Sequence, residues 1–440
     1  MRTLAGEFLA PTLRNVLDAS DLEGMDRSQV TDLAYGAVRR LQQLDAHLAH
    51  GLKQPAKLPP RVLNALRLGV LELLYRHTPA HAAVSEWVEV VKAEAPGLAP
   101  LANAVLRGVE RRAAKGGAPP TDPLQRFSLP HWLWREFTAA LGPTAAVDAA
   151  DGMLEPEPLW LTALTPGAVA SLHADGCEVS ELIPGAQSPA SLRVRSPMPL
   201  DLLAAFQGGL VQPQNPASLQ VALALGAAAG EVVFDLASGR GIKSAVLAAS
   251  GARVTGVELV KRRARAAEAN LERLRLAVKH VHADLVAPDS VALLERVAQA
   301  NGWAEPRRAD AVLLDAPCSG TGTLRGHPEI KLRLKQADLA ELAAAQSAML
   351  ANAAALVAPG GRLLYAVCAL TNAEGPEVVD RFLAEHPDYE SEPVATGLAQ
   401  VQPAGTGPGT GAFVVPVDGL DGFYLALLRR AGHGPAEELT

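Results

Sequence analysis

Three residues carry most of the reactive chemistry in this 440-residue chain: Asp315 and Cys318 in the run DAPCSGTGTLRGHPEIK, and Cys368 in RLLYAVCAL. Each thiol follows a short apolar run that reads as a buried parallel strand. Such strands deliver their carboxyl ends into a ligand crevice in open α/β sheets, so two thiols and a carboxylate are expected to meet there. Pro317 fixes its own φ and restrains Ala316, which holds Cys318 on stiff backbone. Gly320 and Gly322 let the main chain pass close to a flat substrate. Past the turn, Arg325, His327, Lys331, Arg333 and Lys335 oppose only Glu329, a surplus of cations suited to phosphate. A buried structural cysteine remains the competing reading for either thiol alone, since free cysteine is among the most buried residue types. Two thiols at neighbouring strand ends, in a chain with only three cysteines, favour function for the pair.

The elements that must position these groups begin at Val232. VVFDLASG, a helix from Ile242 to Ala249, RVTGVEL, a charged helix from Lys261 to Leu276 and HVHADL read as successive βαβ units of a doubly wound sheet. Asp235 closes the first strand, and Gly239 and Gly241 allow the next turn to approach a ligand. Glu258 closes the second strand, where a carboxylate can accept both ribose hydroxyls of a nucleoside, and Asp284 at the end of the third would face the adenine. Arg263, in the charged helix, joins the same expected cofactor set. The turn is shorter than a G-x-G-x-x-G fingerprint and lacks its third glycine, which favours S-adenosylmethionine over NAD. Further on, ADLAELAAAQSAMLANAAALV reads as one long helix broken at Pro359-Gly360-Gly361, leading into the strand that carries Cys368.

The rest of the chain sets the context. No apolar run approaches the ~18 residues of a membrane span, and the N-terminus lacks a signal-peptide core, so the protein is expected in the cytoplasm. Cys177, Cys318 and Cys368 cannot make a disulfide framework, and their spacing fits no zinc site; no metal is expected, and Cys177 reads as structural. The net charge of −7 argues mildly against a nucleic-acid partner, but residues 51–115 carry ten Lys or Arg against five Glu. Residues 1 to about 115 show helical spacing of apolar positions, with breaks at Pro59-Pro60, Pro79 and Pro96, and five helices would fit. AAKGGAPPTDP, from Ala113 to Pro123, has the composition of a linker. Residues of about 150–210 read as a small, acidic α+β module. The Gly/Pro-rich stretch from Gly397 to Gly411 reads as a mobile loop, and the last residues as a disordered tail.

The motifs DAPCSGTGTLRGHPEIK, LLYAVCALTNAEGPEVVDRFL and VDGLDGFYLALL resemble the Nol/Nop/Sun family of RNA cytosine carbon-5 methyltransferases, most closely its bacterial Sun/Fmu branch, which modifies small-subunit ribosomal RNA. AYGAVRRLQQLDAHL, LRLGVLELLYRHTPAHAAVSEWVEVVK and LANAVLRGVERR resemble the NusB-like RNA-binding domain that marks this branch. The resemblance implies a multidomain chain: an all-α NusB-like domain over 1–120, a connector with an RRM-like α+β module over 121–210, and a Rossmann-like class I methyltransferase domain over 211–433, with a tail over 434–440. It implies S-adenosylmethionine as cofactor and ribosomal RNA as partner, with the target cytosine single-stranded or flipped. By resemblance Cys368 is the nucleophile, Cys318 assists product release, Asp315 contacts the cytosine ring, and Lys243 belongs to the active-site turn. Where the family's turn reads DLCAAPGGKT this chain has DLASGRGIKS, and where the family has Glu-Asn-Glu it has Glu374-Gly375-Pro376.

Carbon 5 of cytosine is a poor nucleophile, so a thiolate must first add to carbon 6 and push electron density onto carbon 5. A free thiol of pKa ~8.5 is little ionised at neutral pH, and nearby cations such as Lys243 are expected to favour the thiolate. A transfer-RNA methyltransferase and a non-catalytic RNA-binding assembly factor remain alternatives, as does a DNA cytosine methyltransferase, whose nucleophile would be Cys318.

Overall fold

The computed structural model describes residues 2–76, 78–116, 120–183, 188–287, 290–300, 308–404 and 411–432. The tail over 434–440 and part of the Gly/Pro-rich loop, 405–410, lie outside them. The chain forms two compact units. One gathers Met1–Glu136, Ala150–Pro156 and Thr323–Gln336, and the other holds Phe137–Ala149, Glu157–Gly322 and Ala337–Thr440.

In the first unit the prolines start helices rather than merely ending them. Pro60 opens the helix Pro60–Tyr75, Pro79 caps Ala80–Glu94, and Pro96 opens the short turn before Ala99–Ala114. A proline costs little there, because the first N–H groups of a helix have no intrahelical acceptor. Leu44, Leu48, Leu66, Val70, Val84, Val91 and Leu106 form the core between these helices. Among the described residues, six helices precede residue 115 rather than five, since AYGAVRRLQQLDAHL breaks into Gly24–Arg39 and Leu41–Ala49. The break falls at Arg40, with φ −108° and ψ 16°, whose guanidinium lies 4.3 Å from the Tyr75 ring centroid and donates to Leu154 O at 3.1 Å.

The unit also continues past the Gly/Pro stretch expected to end it. Ser128 Oγ accepts from Gln42 N at 2.8 Å, and Phe127 stacks on Trp134 at 5.0 Å. Residues 323–336 join it through Arg39 Nη2, which donates to Arg325 O at 3.0 Å, and through Leu9 N, which donates to Glu329 Oε1 at 3.3 Å.

The second unit holds two sheets. The smaller is antiparallel: β1 (Leu159–Ala163), β2 (Glu178–Glu181), β3 (Ala190–Arg195) and β4 (Val211–Pro213) lie in the order β2-β3-β1-β4. Its core of Leu161, Leu172, Leu192 and Val211 includes Cys177, 4% exposed. The larger sheet contains β5 (Val232–Leu236), β6 (Arg253–Val257), β7 (Lys279–Val281), β8 (Ala309–Asp315), β9 (Val357–Val367), β10 (Tyr389–Glu392), β11 (Val401–Pro403), β12 (Ala412–Val414) and β13 (Phe423–Arg430). Its order is β11-β12-β13-β9-β8-β5-β6-β7, with β10 also paired to β13.

Strands β5 to β9 run parallel and β13 antiparallel to β9. The chain leaves β5 toward β6 and later returns to β8 on the other side, so the switch point that makes a binding crevice falls at the carboxyl ends of β5 and β8. The helix before β9 ends at Ala355, and Pro359-Gly360-Gly361 lies inside the strand instead of separating the two. Strand β9 advances from Val357 to Arg362 while β8 moves only from Ala309 to Ala311, so the proline sits in a bulge, where no ladder N–H is asked of it.

Candidate active site

Parallel pairing places the reactive residues. Asp315, the last residue of β8, stands opposite Ala366 of β9, so the loop carrying Cys318 and the end of β9 carrying Cys368 emerge side by side. The two Sγ atoms are 3.2 Å apart. Lys243, from the first turn of the helix Ile242–Ala249, donates from Nζ to Asp315 Oδ2 at 2.6 Å and lies 5.5 Å from the centroid of the Phe423 ring. Burial, the largest single influence, disfavours the Lys243 charge, but Asp315, Asp235 and Cys368 together outweigh it and raise the lysine's pKa. Lys243 is therefore a fixed cation held against Asp315 and near Cys368. The Cys318 thiol is pushed well up, first by its hydrogen bond with Cys368, then by burial and by the charges of Cys368 and Glu374. Two neighbouring thiols with one cation near Cys368 have the composition for nucleophilic attack by one sulfur and proton transfer by the other.

The backbone around the pair is tightly specified. Gly322 N donates to Cys368 O at 2.9 Å, and Gly422 N donates to Gly322 O at 2.8 Å. A Cβ on Gly322 would stand 2.1 Å from Gly422 O, so only glycine fits. Sequence reasoning missed Glu374, which is fully buried. Its Oε1 accepts from Ser319 N at 2.7 Å and Gln346 Nε2 at 3.2 Å, and its Oε2 from Ser319 Oγ at 2.6 Å and Thr371 Oγ1 at 3.0 Å. The available signal was the acidic residue surviving in Glu374-Gly375-Pro376, but its partner Ser319 is 55 residues away in sequence.

At the carboxyl end of β5 the chain makes a sharp turn in which Ala237 (φ 58°), Gly239 (φ 59°) and Gly241 (φ 72°) are all left-handed. That conformation costs alanine energy, a feature that concentrates at functional sites. Glu258, 4% exposed, spans the turn: Oε2 accepts from Gly239 N at 2.9 Å and Oε1 from Val260 N at 2.7 Å. Asp235 is fully buried; Ser244 Oγ donates to its Oδ2, while Oδ1 has no partner among the described residues. Burial pushes its pKa up to about 7, against Ser244 and Lys243, which pull it down.

The remaining expected site residues differ in their exposure and partners. Arg263 is exposed on the helix Lys261–Arg273. Asp284 is exposed beyond β7, which ends at Val281, and its Oδ1 accepts from Val286 N at 3.0 Å. Arg325, His327 and Lys331 belong to the helical unit. His327 is exposed, but Arg325 is 2% and Lys331 5% exposed. Lys331 Nζ donates to Arg39 O, which corrects the expectation of a cation presented to phosphate. Burial first, then Arg39 and Arg40, bring the Lys331 pKa down to about 7.

The family model described as 16S rRNA methyltransferase RsmB/F matches residues 222–429, and the NusB family model matches residues 2–111. The chain is 43% identical over 410 residues to ribosomal RNA small subunit methyltransferase B of Thermus thermophilus, covering 92% of this chain and 89% of that protein. The chain belongs to the ribosomal RNA small subunit methyltransferase B family. It is also 29% identical to a probable member from Bacillus subtilis, over 96% of this chain and 94% of that one. The crystal structure of PH0851 shares the fold, with a TM-score of 0.70 at 24% identity, covering 95% of this chain and 93% of that one. The cofactor is S-adenosylmethionine. The chain's own residues fit it: a left-handed glycine turn, the buried Glu258 and Asp235 Oδ1, unpartnered among the described residues, form a polar cradle at the sheet's switch point. Among the described residues, no helix is long and apolar enough to cross a membrane.

Proposed function

We propose that the protein methylates carbon 5 of a cytosine in small-subunit ribosomal RNA through a covalent adduct between Cys368 and carbon 6. The observation that carries this reading is the pair of thiols 3.2 Å apart beside the Lys243–Asp315 ion pair. S-adenosylmethionine supplies the methyl group as a sulfonium electrophile. Asp235, Gly239, Gly241 and Glu258 would hold it. The Cys368 thiolate forms a bond to carbon 6, moving an electron pair onto carbon 5, which then takes the methyl group. Asp315, held by Lys243, hydrogen-bonds the ring and supports the charge that develops on it. Loss of the carbon-5 proton to a base restores the ring double bond and expels the Cys368 sulfur, and Cys318 assists this release. The target base must be unpaired or flipped, because a stacked helix hides both ring faces. The RNA reading is supported by the family of the chain, by its NusB-like helices and by their basic balance over residues 51–115.

The test is denaturing electrophoresis of single-cysteine variants with target RNA. Cys318→Ala should methylate and then persist as a protein–RNA adduct; Cys368→Ala should form no adduct and transfer no methyl group. An adduct that persists in Cys368→Ala and is absent from Cys318→Ala would overturn the assignment in favour of the DNA-type mechanism.

A further inference from the structure

Glu374 takes no direct part in the steps above, yet it is the most densely bonded carboxylate beside them. It is fully buried, and among the described residues both oxygens accept from neutral donors: Ser319 N and Oγ, Gln346 Nε2 and Thr371 Oγ1. Gln346 Nε2 also donates to Pro317 O at 3.0 Å, and Tyr365 OH to Glu374 O at 2.7 Å. Thr321 Oγ1 completes the frame, accepting from Leu370 N at 2.9 Å and lying 3.3 Å from Ser319 Oγ. The network therefore grips the chain on either side of Cys318, at Pro317 and Ser319, and ties it to the segment that follows Cys368. A buried carboxylate is costly to desolvate, and among the described residues four hydrogen bonds hold this one.

We propose that Glu374 is a positioning residue that splices the Cys318 loop to the Cys368 loop and sets a negative charge on the Cys318 side of the pair. This rests on the two-thiol reading above. Among the described residues, Cys318 interacts electrostatically with Cys368, Glu374 and Tyr365, while the cation Lys243 interacts with Cys368. The charge of Glu374 raises the Cys318 thiol's hold on its proton, in the same direction as the larger effects of the Cys368 hydrogen bond and of burial. Held as the thiol, Cys318 can give its proton to the Cys368 sulfur as the bond to carbon 6 breaks, while the carbon-5 proton goes to a separate base.

Glu374→Gln separates charge from shape, because the Ser319 and Thr371 hydroxyls can turn to accept from the new amide. In the full chain carrying Cys368→Ala, the pH dependence of iodoacetamide alkylation at Cys318, read by mass spectrometry, should move to lower pH on Glu374→Gln. The alkylation rate at neutral pH should rise several-fold. With both cysteines present, Glu374→Gln should lower kcat and leave KM for RNA unchanged. An alkylation profile that does not move, or a change in KM alone, would overturn the proposal. The alkylation result stands apart from the catalytic reading: if that reading fails, Cys318→Ala yields no adduct whatever Glu374→Gln does to thiol reactivity.

Discussion

Lys331→Met distinguishes a buried structural lysine from a phosphate contact. The ammonium is 5% exposed, bonded to one carbonyl and near two arginines, and its pKa falls from 10.5 to about 7. Between those values the unfolded chain binds the proton that the folded chain releases. Wild-type stability should therefore climb as pH rises from about 7 toward 10.5, and the penalty should be fully present below about 7. Some 3.5 pKa units at 1.36 kcal/mol each set a ceiling of roughly 5 kcal/mol. Losing the hydrogen bond to Arg39 O gives back about 1.5–3 kcal/mol. The net expectation is that Lys331→Met stabilises the protein by about 2 kcal/mol at pH 7 and loses this advantage by pH 10.5. Thermal melts across that range test the sign. RNA affinity against salt tests the alternative, since a lost phosphate contact would reduce the log–log slope by about 1. A variant with lower Tm at pH 7 and a shallower salt slope would refute the burial argument.

Gly322→Ala should cost more than an ordinary surface change, because its Cβ would meet a backbone oxygen at 2.1 Å that cannot move without releasing β13. Methyl transfer should fall at least as far as stability, and a fully active, wild-type melting variant would contradict the packing. Glu258→Ala should weaken S-adenosylmethionine binding by about 1.5–3 kcal/mol in calorimetry, since Glu258 both braces the turn through Gly239 N and is the proposed ribose acceptor. Unchanged affinity would place the ribose elsewhere.

Local pattern made the sheet legible. The apolar runs 232–234 and 311–314 are each followed by an aspartate, and the two cysteines follow strands that the register then sets side by side. Proline suggested a boundary before β9 but lies in a bulge, a placement that depends on pairing with β8 and not on propensity. Charge was read worst, because a residue letter carries no information about burial. Arg325 and Lys331 look like surface cations in DAPCSGTGTLRGHPEIK, yet the carbonyl that receives Lys331 is 292 residues away. Glu374 went unread for the same reason, since four donors from three separate stretches define it.

The segment 323–336 also sets the order in which this chain can be completed on the ribosome. The helices of residues 1–136 emerge first, but Leu9 N meets its acceptor Glu329 only after another 320 residues have been added. At 5–20 residues per second that interval is roughly 15–60 s. During it the helical unit lacks the strand of chain that fills Arg39 and Phe8, while β5 and β8 are already available to pair. The N-terminal unit is thus the first to be synthesised and among the last to close. A nascent chain stalled before residue 336 would carry an unfinished bundle, open to protease and to chaperone, however well its own helices form.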